Sequence, residues 1–376
     1  QTGLVGYAPN FQPSVIVEDA GSTPLAGVTV TFAVESGGGS VTGATQVTDA
    51  QGIAQVEKWT LGSSPGTNTL SATASGAGFS GNPVTFTATG AATAYDVEVR
   101  YLTSLTASQE EAFDSAAVRW ETLVYGDLPD VAVNLSANAC GITHPAVDET
   151  VDDLLILSRV EAIDGAGGIL GQAGPCVLRT SGSLPVVGIM RFDEDDLASL
   201  ETNNQLKDVI LHEMAHVLGF GALWGPSFFD FLVNPSLPDP PGEDTYFSGP
   251  IAIAAFDSLG GTGYTGGEKV PVENEQGGEG TRDSHWRESV FDTELMTGFI
   301  SSPGTANPLS YMTVASLWDM GYTVNYDDAD TYTQVFSAPA LAAGVGGKLL
   351  LVDDVWRGPL YVIDETTGEV RRVARP

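Results

Sequence analysis

With 376 residues the chain is long enough for two domains, and its 42% hydrophobic and 17% charged residues exclude a disordered protein. Acidic residues outnumber basic ones by 48 to 15, giving a formal net charge of −33. This charge excludes nucleic acid and anionic membrane surfaces as partners, because both require clustered Lys and Arg. No run of about 18 apolar residues is present to insert into a membrane. No signal peptide is present at Gln1, so we expect that one has been removed or that the sequence begins after it.

Residues 1–92 differ in amino-acid composition from the rest of the chain. They are rich in Gly, Ser, Thr, Ala and Val, and they contain neither histidine nor cysteine. Alternating apolar residues predict strands at 27–34, 68–74 and 83–88, and Gly- and Ser-rich turns separate them. Short strands at this spacing indicate an all-β sandwich.

The stretches PLAGVTVTFAVESGGGSV and GNPVTFTATG resemble the bacterial immunoglobulin-like domain of the invasin and intimin type. The resemblance covers nearly all of residues 1–92 and implies a seven-stranded sandwich. Such domains act as spacers or binding modules on exported bacterial proteins, which implies contact with a cell surface or matrix. No catalytic group is visible in this segment.

A strand, a helix and two further strands are predicted after a linker at 91–95. The first strand covers 95–101, and the helix covers about 108–125, with Thr106 and Gln109 at the spacing of a capping box. Apolar runs at 153–163 and 184–192 predict buried strands. The acidic run at 193–196 is typical of a helix start favoured by the helix dipole, with a calcium site as the alternative. Together these elements predict an α+β unit.

The stretch 211–220, LHEMAHVLGF, contains the candidate metal-binding and catalytic residues. His212 and His216 are four residues apart and therefore lie on one face of a helix, where both can bind one Zn²⁺ while Glu213 faces the open metal position. Gly219 and Gly221 are placed to end that helix. The alternative is a buried amphipathic helix whose histidines merely bond the backbone.

A catalytic zinc ion usually has three protein ligands, so a third must come from elsewhere. In the pattern HExxHxxGxxH it would be residue 222, but Ala222 stands there. His144, in a predicted loop, and His285, in SHWRES, are the only other histidines, and a glutamate on a following helix is a further solution. Residues 221–282 are rich in Gly and Pro, and we expect an inserted subdomain with a short helix at 249–258.

HExxHxxG, a long insertion, a distant histidine and the methionine of ELMTG together resemble the leishmanolysin family of zinc metallopeptidases, in its bacterial form. The resemblance covers about residues 96–326 and implies a zincin (metzincin) domain. It implies that His212, His216 and His285 bind one zinc ion. It also implies that Glu213 is the catalytic base and that Met296 forms the methionine turn. A structural His285 and a Met296 that only packs in the core are the alternatives.

Cys140 and Cys176 lie in the same predicted domain, and in an oxidising compartment we expect them to form a disulfide. Free buried thiols and a thiolate that masks the zinc are the alternatives. Tyr311 is a candidate to stabilise the oxyanion, although a packing role is favoured. A helix is predicted at 308–320 and a hairpin at 360–363 and 370–373, but the sequence leaves open whether this tail packs on the catalytic unit.

We therefore expect three segments: an immunoglobulin-like sandwich at 1–92, a leishmanolysin-like domain at 93–328 with its insertion at 221–282, and a β-rich tail at 329–376. The predicted function is a secreted zinc metalloendopeptidase in which Glu213 activates a zinc-bound water to hydrolyse peptide bonds of extracellular proteins. We expect the substrate to lie along a sheet edge, with the strand at 154–160 as the candidate. The alternatives are a surface adhesin with a vestigial zinc domain and a zinc amidase that acts on cell-wall peptides.

Overall fold

The structure is a computed structural model that describes residues 1–76, 78–237, 244–333 and 346–375. The chain forms two compact units. The first comprises Gln1–Ala94 with Asn325–Asp328, and the second comprises Tyr95–Val324 with Ala329–Pro376. Within the described ranges, no helix is both long enough and apolar enough to cross a bilayer.

The first unit is built from short strands. Five of them form a sheet in the order β1-β9-β8-β3-β5, and β2-β6 and β4-β7 form two smaller pairs. The strands predicted at 27–34, 68–74 and 83–88 are present as β3, β8 and β9. Phe32, Trp59 and Leu70 are buried in the core between the strands. The strands are β1 Thr2–Leu4, β2 Ser14–Ile16, β3 Thr29–Ser36, β4 Ser40–Thr42, β5 Thr45–Val47, β6 Ile53–Gln55, β7 Lys58–Thr60, β8 Gly66–Ala74 and β9 Val84–Ala91.

The second unit is organised on a six-stranded mixed sheet. Its strands are β10 Val97–Tyr101, β13 Leu154–Glu161, β14 Gly171–Arg179, β15 Pro185–Asp193, β21 Leu360–Ile363 and β22 Val370–Val373. Their order is β10-β13-β15-β14-β21-β22, and only β14-β15 and β21-β22 are antiparallel pairs. The predicted hairpin of the tail is present, and β21 joins it to the main sheet beside β14. The tail therefore packs on the rest of the second unit.

Shorter strands of this unit form a second set of small sheets. They are β11 Val131–Leu135, β12 Val147–Val151, β16 Leu232–Val233, β17 Tyr246–Phe247, β18 Val270–Pro271, β19 Phe299–Ile300 and β20 Leu349–Leu350. The three strands β16-β17-β18 form one small sheet within the Gly- and Pro-rich region at 221–282. Strand β20 pairs with β19, so residues 349–350 of the tail also join this unit.

Seven helices are described in this unit. They are α1 Ala107–Leu123, α2 Leu197–Thr202, α3 Leu206–Val217, α4 Pro250–Ser258, α5 Thr262–Thr265, α6 Glu288–Phe291 and α7 Tyr311–Asp319. The predicted capping box of α1 is present, because the Thr106 side chain accepts from Gln109 N–H and the Gln109 side chain accepts from Thr106 N–H. Helix α1 buries Phe113 and Trp120, and the Trp120 indole donates to the carbonyl oxygen of Leu211 on the next long helix (3.1 Å).

The strand expected to receive the substrate does not lie at an edge, so that prediction is wrong. Strand β13, which contains residues 154–160, pairs with β10 on one side and with β15 on the other. Its residues Leu154, Leu155 and Ile156 are fully buried, as in a strand covered on both faces. Strand β14 pairs with β15 along one edge, whereas its other edge pairs with β21 only at Val177, Leu178 and Arg179 and forms an isolated bridge at Ala173.

Candidate metal centre

Helix α3 carries the HExxH motif and lies against the main sheet. It buries Val209, Ile210, Met214 and Val217, which follow the three- and four-residue steps of one helix face. The helix ends as predicted at Gly219, whose φ of +103° is a conformation that glycine adopts without strain. A Cβ on that residue would also lie 2.7 Å from the Met320 side chain.

Gly221 allows the chain that carries the distant histidine to approach the helix. It has a φ of +68°, and a Cβ there would lie 2.0 Å from the carbonyl oxygen of Ser284. Ser284 directly precedes His285, so the backbone beside His285 passes over Gly221 with no space for a side chain. Gly221 therefore brings together two segments that are far apart in sequence.

The three histidines expected to bind the metal converge on one point. The Nε2 atoms of His212 and His216 lie 3.0 Å apart, and that of His285 lies 3.1 Å from His212 and 3.0 Å from His216. All three side chains are fully buried. Ligands held about 2.0–2.1 Å from one tetrahedral ion are separated by about 3.3 Å, so the spacing fits a single shared metal ion.

Backbone carbonyls orient each ring so that Nε2 faces the centre. The Nδ1 atom of His212 donates to Leu295 O (2.7 Å), and that of His216 donates to Phe220 O (2.9 Å). The Nδ1 atom of His285 donates to Thr281 O (2.8 Å). A proton on each Nδ1 leaves three Nε2 lone pairs about 3 Å apart, and a cation between them is what satisfies all three.

The buried environment keeps the two motif histidines neutral, which is the form that binds metal. Burial lowers the pKa of His212 to about 4 and also lowers the pKa of His216. Burial acts in the same direction on His285, but the adjacent Asp354 carboxylate outweighs it and raises the pKa of His285. Asp354 acts in the same direction on all three rings, so the raised pKa of His285 also depends on its hydrogen bond to Thr281 O and on the charge of Glu273.

Glu213 lies on the same helix between the two histidines and is fully buried. Neither of its carboxylate oxygens has a hydrogen-bond partner among the described residues. Burial, together with the charge of Asp354, raises the pKa of Glu213 well above its usual range. A buried carboxylate without partners is costly for folding, and such a group is typical of a functional site.

The turn that contains Met296 holds one of the rings directly. Met296 is fully buried, its N–H donates to Glu294 Oε2 (2.6 Å), and Leu295 between them supplies the carbonyl that orients His212. Glu294 also accepts from Ser310 N–H (3.0 Å) and from the Thr313 hydroxyl (2.5 Å) at the start of α7. Sequence reasoning singled out Met296 and missed Glu294, although it lies two residues away in ELMTG.

A fourth side chain at this point, Asp354, comes from the tail and was not predicted. Its Oδ2 atom lies 2.9 Å from His285 Nε2, 3.2 Å from His212 Nε2 and 3.7 Å from His216 Nε2. Burial opposes ionisation of Asp354, but the charge and hydrogen bonds of the imidazoles hold its pKa well below the usual range. Each of the four side chains offers one ligand atom, and these atoms all lie within 4.8 Å of one another, which is close enough for them to hold one metal ion.

The remaining candidates lie outside this cluster. His144 packs in a loop, where its Nε2 accepts from Cys140 N–H (3.1 Å) and its Nδ1 donates to Pro145 O (2.6 Å), in agreement with the loop role favoured for it. Cys140 and Cys176 form the expected disulfide. Tyr311, the first residue of α7, is partly buried, and its role in stabilising the oxyanion stays a prediction.

The acidic run at 193–196 hydrogen-bonds to a neighbouring loop. Asp193 is buried, and its carboxylate accepts the N–H groups of Ile163, Asp164 and Gly165 at 2.8–3.0 Å. Asp196 accepts the N–H of Gly167 (2.8 Å) in the same loop. These carboxylates fix the loop after β13, and nothing at this run supports the calcium site considered from the sequence.

A HExxH helix packed on a mixed sheet, with a third histidine and a methionine turn beside it, is the architecture of a metallopeptidase. The sequence pattern of the leishmanolysin peptidase family matches residues 138–338, which is more than half of the chain. The chain therefore belongs to the leishmanolysin family, and it is a metallopeptidase. Among curated proteins, none gives a significant match to the chain.

Proposed function

We propose that the protein is a zinc-dependent endopeptidase that cleaves extracellular proteins or peptides. In this proposal His212, His216 and His285 hold the ion, and Glu213 is the general base. The observation that carries it is the convergence of three Nε2 atoms within 3.1 Å, each on a ring whose Nδ1 is bonded to a backbone carbonyl. Neutral imidazoles in this number favour zinc over magnesium or calcium, which prefer oxygen ligands.

A zinc ion at this position supplies a Lewis acid that polarises the scissile carbonyl and acidifies water. Glu213 takes the proton of the attacking water on a carboxylate oxygen and later delivers it to the nitrogen of the leaving amine. Its two oxygens suit this role because they are not occupied by other donors among the described residues. The Nδ1 bonds of the histidines hold the rings in place, so that the ligands need not reorganise during the reaction.

We also propose that the protein is secreted and that it belongs to the bacterial form of the family. The Cys140–Cys176 disulfide supports an oxidising compartment outside the cytoplasm. We also propose that the first unit is an immunoglobulin-like sandwich that serves as a spacer or binding module. Its strands, which are antiparallel except for the β1–β9 pair, and its core around Trp59 support this proposal.

The test combines metal analysis with hydrolysis. The purified chain is expected to hold one zinc ion per molecule and to cleave casein or a quenched peptide library, and a zinc chelator is expected to stop the cleavage. Zinc-loaded protein that leaves every peptide of the library intact under all conditions would contradict the proposal. Cleavage confined to cell-wall peptides would instead support the amidase alternative.

A further inference from the structure

The segment of residues 351–356, here called the capping segment, brings a carboxylate to the metal centre. Asp354 Oδ2 approaches His285 Nε2 at 2.9 Å and His212 Nε2 at 3.2 Å. Its other oxygen, Oδ1, is buried and has no hydrogen-bond partner in the described part of the chain. Catalytic zinc sites keep one coordination position open for water or substrate, and Asp354 occupies the space beside the three histidines where that position would be.

The backbone of the capping segment pairs with the edge of β14. Ala173 N–H donates to Asp354 O (2.8 Å), and Trp356 N–H donates to Ala173 O (2.7 Å). Further along β14, Val177 and Leu178 pair with β21. An extended peptide that docks on a sheet edge needs these same N–H and C=O groups, so the tail occupies the edge that a substrate would use.

Side-chain contacts anchor the capping segment on the main sheet. The Trp356 ring packs in the apolar cluster that contains the Cys140–Cys176 disulfide, and the Arg191 guanidinium lies 4.9 Å from its centre. A Cβ on Gly174 would lie 3.3 Å from the Cβ of Trp356 and 3.4 Å from its carbonyl oxygen, so the backbone at Trp356 lies close against the strand. These contacts explain how the segment is held although it forms only one bridge with β14.

Three further hydrogen bonds hold the backbone just before Asp354. Gln172 Nε2 donates to Asp353 O (2.6 Å). Leu351 N–H donates to Gly298 O (3.0 Å), and Leu351 O accepts from the Thr281 hydroxyl (2.7 Å). Thr281 is also the residue whose carbonyl orients His285, so the capping segment contacts the loop that carries the third histidine.

The result is a closed site. His212, His216, His285 and Glu213 each expose 0% of their surface, whereas a peptide bond has to reach both the histidines and Glu213 to be cleaved. The capping segment itself presents no peptide bond for cleavage, because the Asp354 side chain faces the histidines while its backbone carbonyl is bonded to Ala173.

From this geometry we infer that the capping segment is an autoinhibitory device, in which Asp354 is a fourth metal ligand and residues 354–356 occupy the substrate edge of β14. This inference rests on the proposed function, since it concerns access to the same site. The enzyme becomes active when the segment leaves, so that the Asp354 oxygen is exchanged for water and the Ala173 N–H and C=O become available to a substrate.

The experiment compares the zinc-loaded full chain with Asp354→Asn, using Asp353→Asn as the matched control. Both variants remove one charge from the capping segment and keep the side-chain size, but only the first alters the group at the histidines. The Asp353 carboxylate also accepts from Gln172 Nε2 (3.2 Å), and an amide at this position keeps an oxygen that can accept the same bond. We measure the binding of a tripeptide hydroxamate by calorimetry, because this probe needs an open metal position and a free edge but no catalysis. A closed state that predominates about tenfold weakens apparent affinity about tenfold, so Asp354→Asn is expected to bind at least about tenfold more tightly than wild type. Asp353→Asn is expected to match wild type.

A second readout is the visible absorption spectrum of the Co²⁺-substituted proteins. Loss of the carboxylate ligand is expected to change the spectrum of Asp354→Asn, and the spectrum of Asp353→Asn is expected to equal that of wild type. Equal hydroxamate affinity and equal spectra in all three proteins would overturn the inference. So would loss of the metal from Asp354→Asn with no gain in hydroxamate binding, since Asp354 would then be a permanent ligand.

Gln172→Ala provides a variant that leaves every metal ligand in place, in case Asp354→Asn does not fold. It removes one anchor of the capping segment and is expected to give a smaller gain in hydroxamate affinity. An affinity unchanged from wild type in this variant would also count against the inference. Tighter hydroxamate binding by Asp354→Asn without hydrolysis of any peptide would support autoinhibition and contradict the proposed function. Equal peptide hydrolysis and equal hydroxamate binding by wild type and Asp354→Asn would support the proposed function and contradict autoinhibition.

Discussion

Two groups of buried carboxylates in the catalytic unit contrast with each other. Asp193 accepts three backbone N–H groups of the loop at 163–165 and one from Asp195. Glu213 is just as deeply buried, but its oxygens accept no hydrogen bond among the residues described. Asp354 lies between these extremes, because one oxygen contacts the histidines and the other has no such partner.

The contrast separates structural acids from functional ones. A buried carboxylate whose oxygens are filled by backbone N–H groups contributes to stability and has no capacity left for a ligand. A buried carboxylate with unfilled oxygens costs stability, which is characteristic of residues that serve a bound ion or substrate. Variants of the two groups should therefore affect different measurements, one set changing catalysis and metal binding and the other changing unfolding.

The largest effect is expected at Glu213. Glu213→Gln keeps the side-chain size but removes the base, so hydrolysis should fall by about 10²–10⁴-fold while zinc content stays at the wild-type level. Glu194→Gln, which changes an exposed acid, is the control and should retain activity. The measurement is the initial rate of peptide cleavage beside metal analysis of the same sample. Zinc-replete Glu213→Gln that cleaves at the wild-type rate would remove Glu213 from its role.

His285→Ala tests the ligand that lies farthest away in sequence. Loss of a second-shell partner already lowers metal affinity by about 10–100-fold, and loss of a ligand should lower zinc affinity by at least about 100-fold. His144→Ala is the matched control, because that ring is also buried but bonds only to a loop. Competition with a chromophoric chelator gives the affinities. Equal zinc affinity in both variants would contradict the assignment of His285.

Asp193→Asn should change stability without changing the metal. Hydrogen bonds to a charged group contribute about 1.5–3 kcal/mol, so urea unfolding should show a loss on that scale. Asp195→Asn, which changes the exposed neighbour, should lose much less. Zinc affinity should equal that of wild type in both. A large fall in zinc affinity with unchanged stability would contradict the structural role of Asp193.

The smallest effect is expected at Glu365, a partly exposed acid that resembles Asp193 in its hydrogen bonding. Burial opposes ionisation, but hydrogen bonds from Ser181 and Thr180 lower the pKa of Glu365 from 4.5 to about 2. Because the folded pKa is the lower one, the stabilisation is complete above pH 4.5 and is lost as the pH falls toward about 2.

The stability difference between wild type and Glu365→Gln should therefore be small and constant at neutral pH and should shrink below pH 4.5. Thermal unfolding of both proteins between pH 7 and pH 3 is the measurement. Glu369→Gln, on the other side of the same hairpin turn, controls for the loss of one charge. A difference that grows as the pH falls would contradict the assigned direction of the pKa shift.

The residues of helix α3 could be predicted from the sequence because their placement is local. A four-residue step fixes His212 and His216 on one helix face whatever the rest of the fold does, and Gly219 ends the helix through its own backbone conformation. His285 required a family resemblance, since the sequence does not indicate that the Ser284 backbone passes over Gly221. The capping box of α1 and the tail hairpin were also local patterns and were confirmed.

The capping segment could not be predicted because its placement depends on long-range pairing. Asp354 is 142 residues from His212, and its neighbours LLLVDDVW indicate only a hydrophobic tail. Strand β14 was missed as well, because Gly171, Gly174 and Pro175 weaken its strand pattern. The error at β13 had a signal in the sequence, since a continuous apolar run is typical of a central strand rather than an edge.

X-ray absorption at the zinc edge of the zinc-loaded full chain tests the central claim most directly, because it counts the imidazoles around the ion. Three imidazole ligands and oxygen are expected for wild type. His285→Ala, refilled with zinc, should show two. A wild-type spectrum that fits two imidazoles would mean that His285 does not bind the ion, and the convergence of the three rings would then not be a metal site.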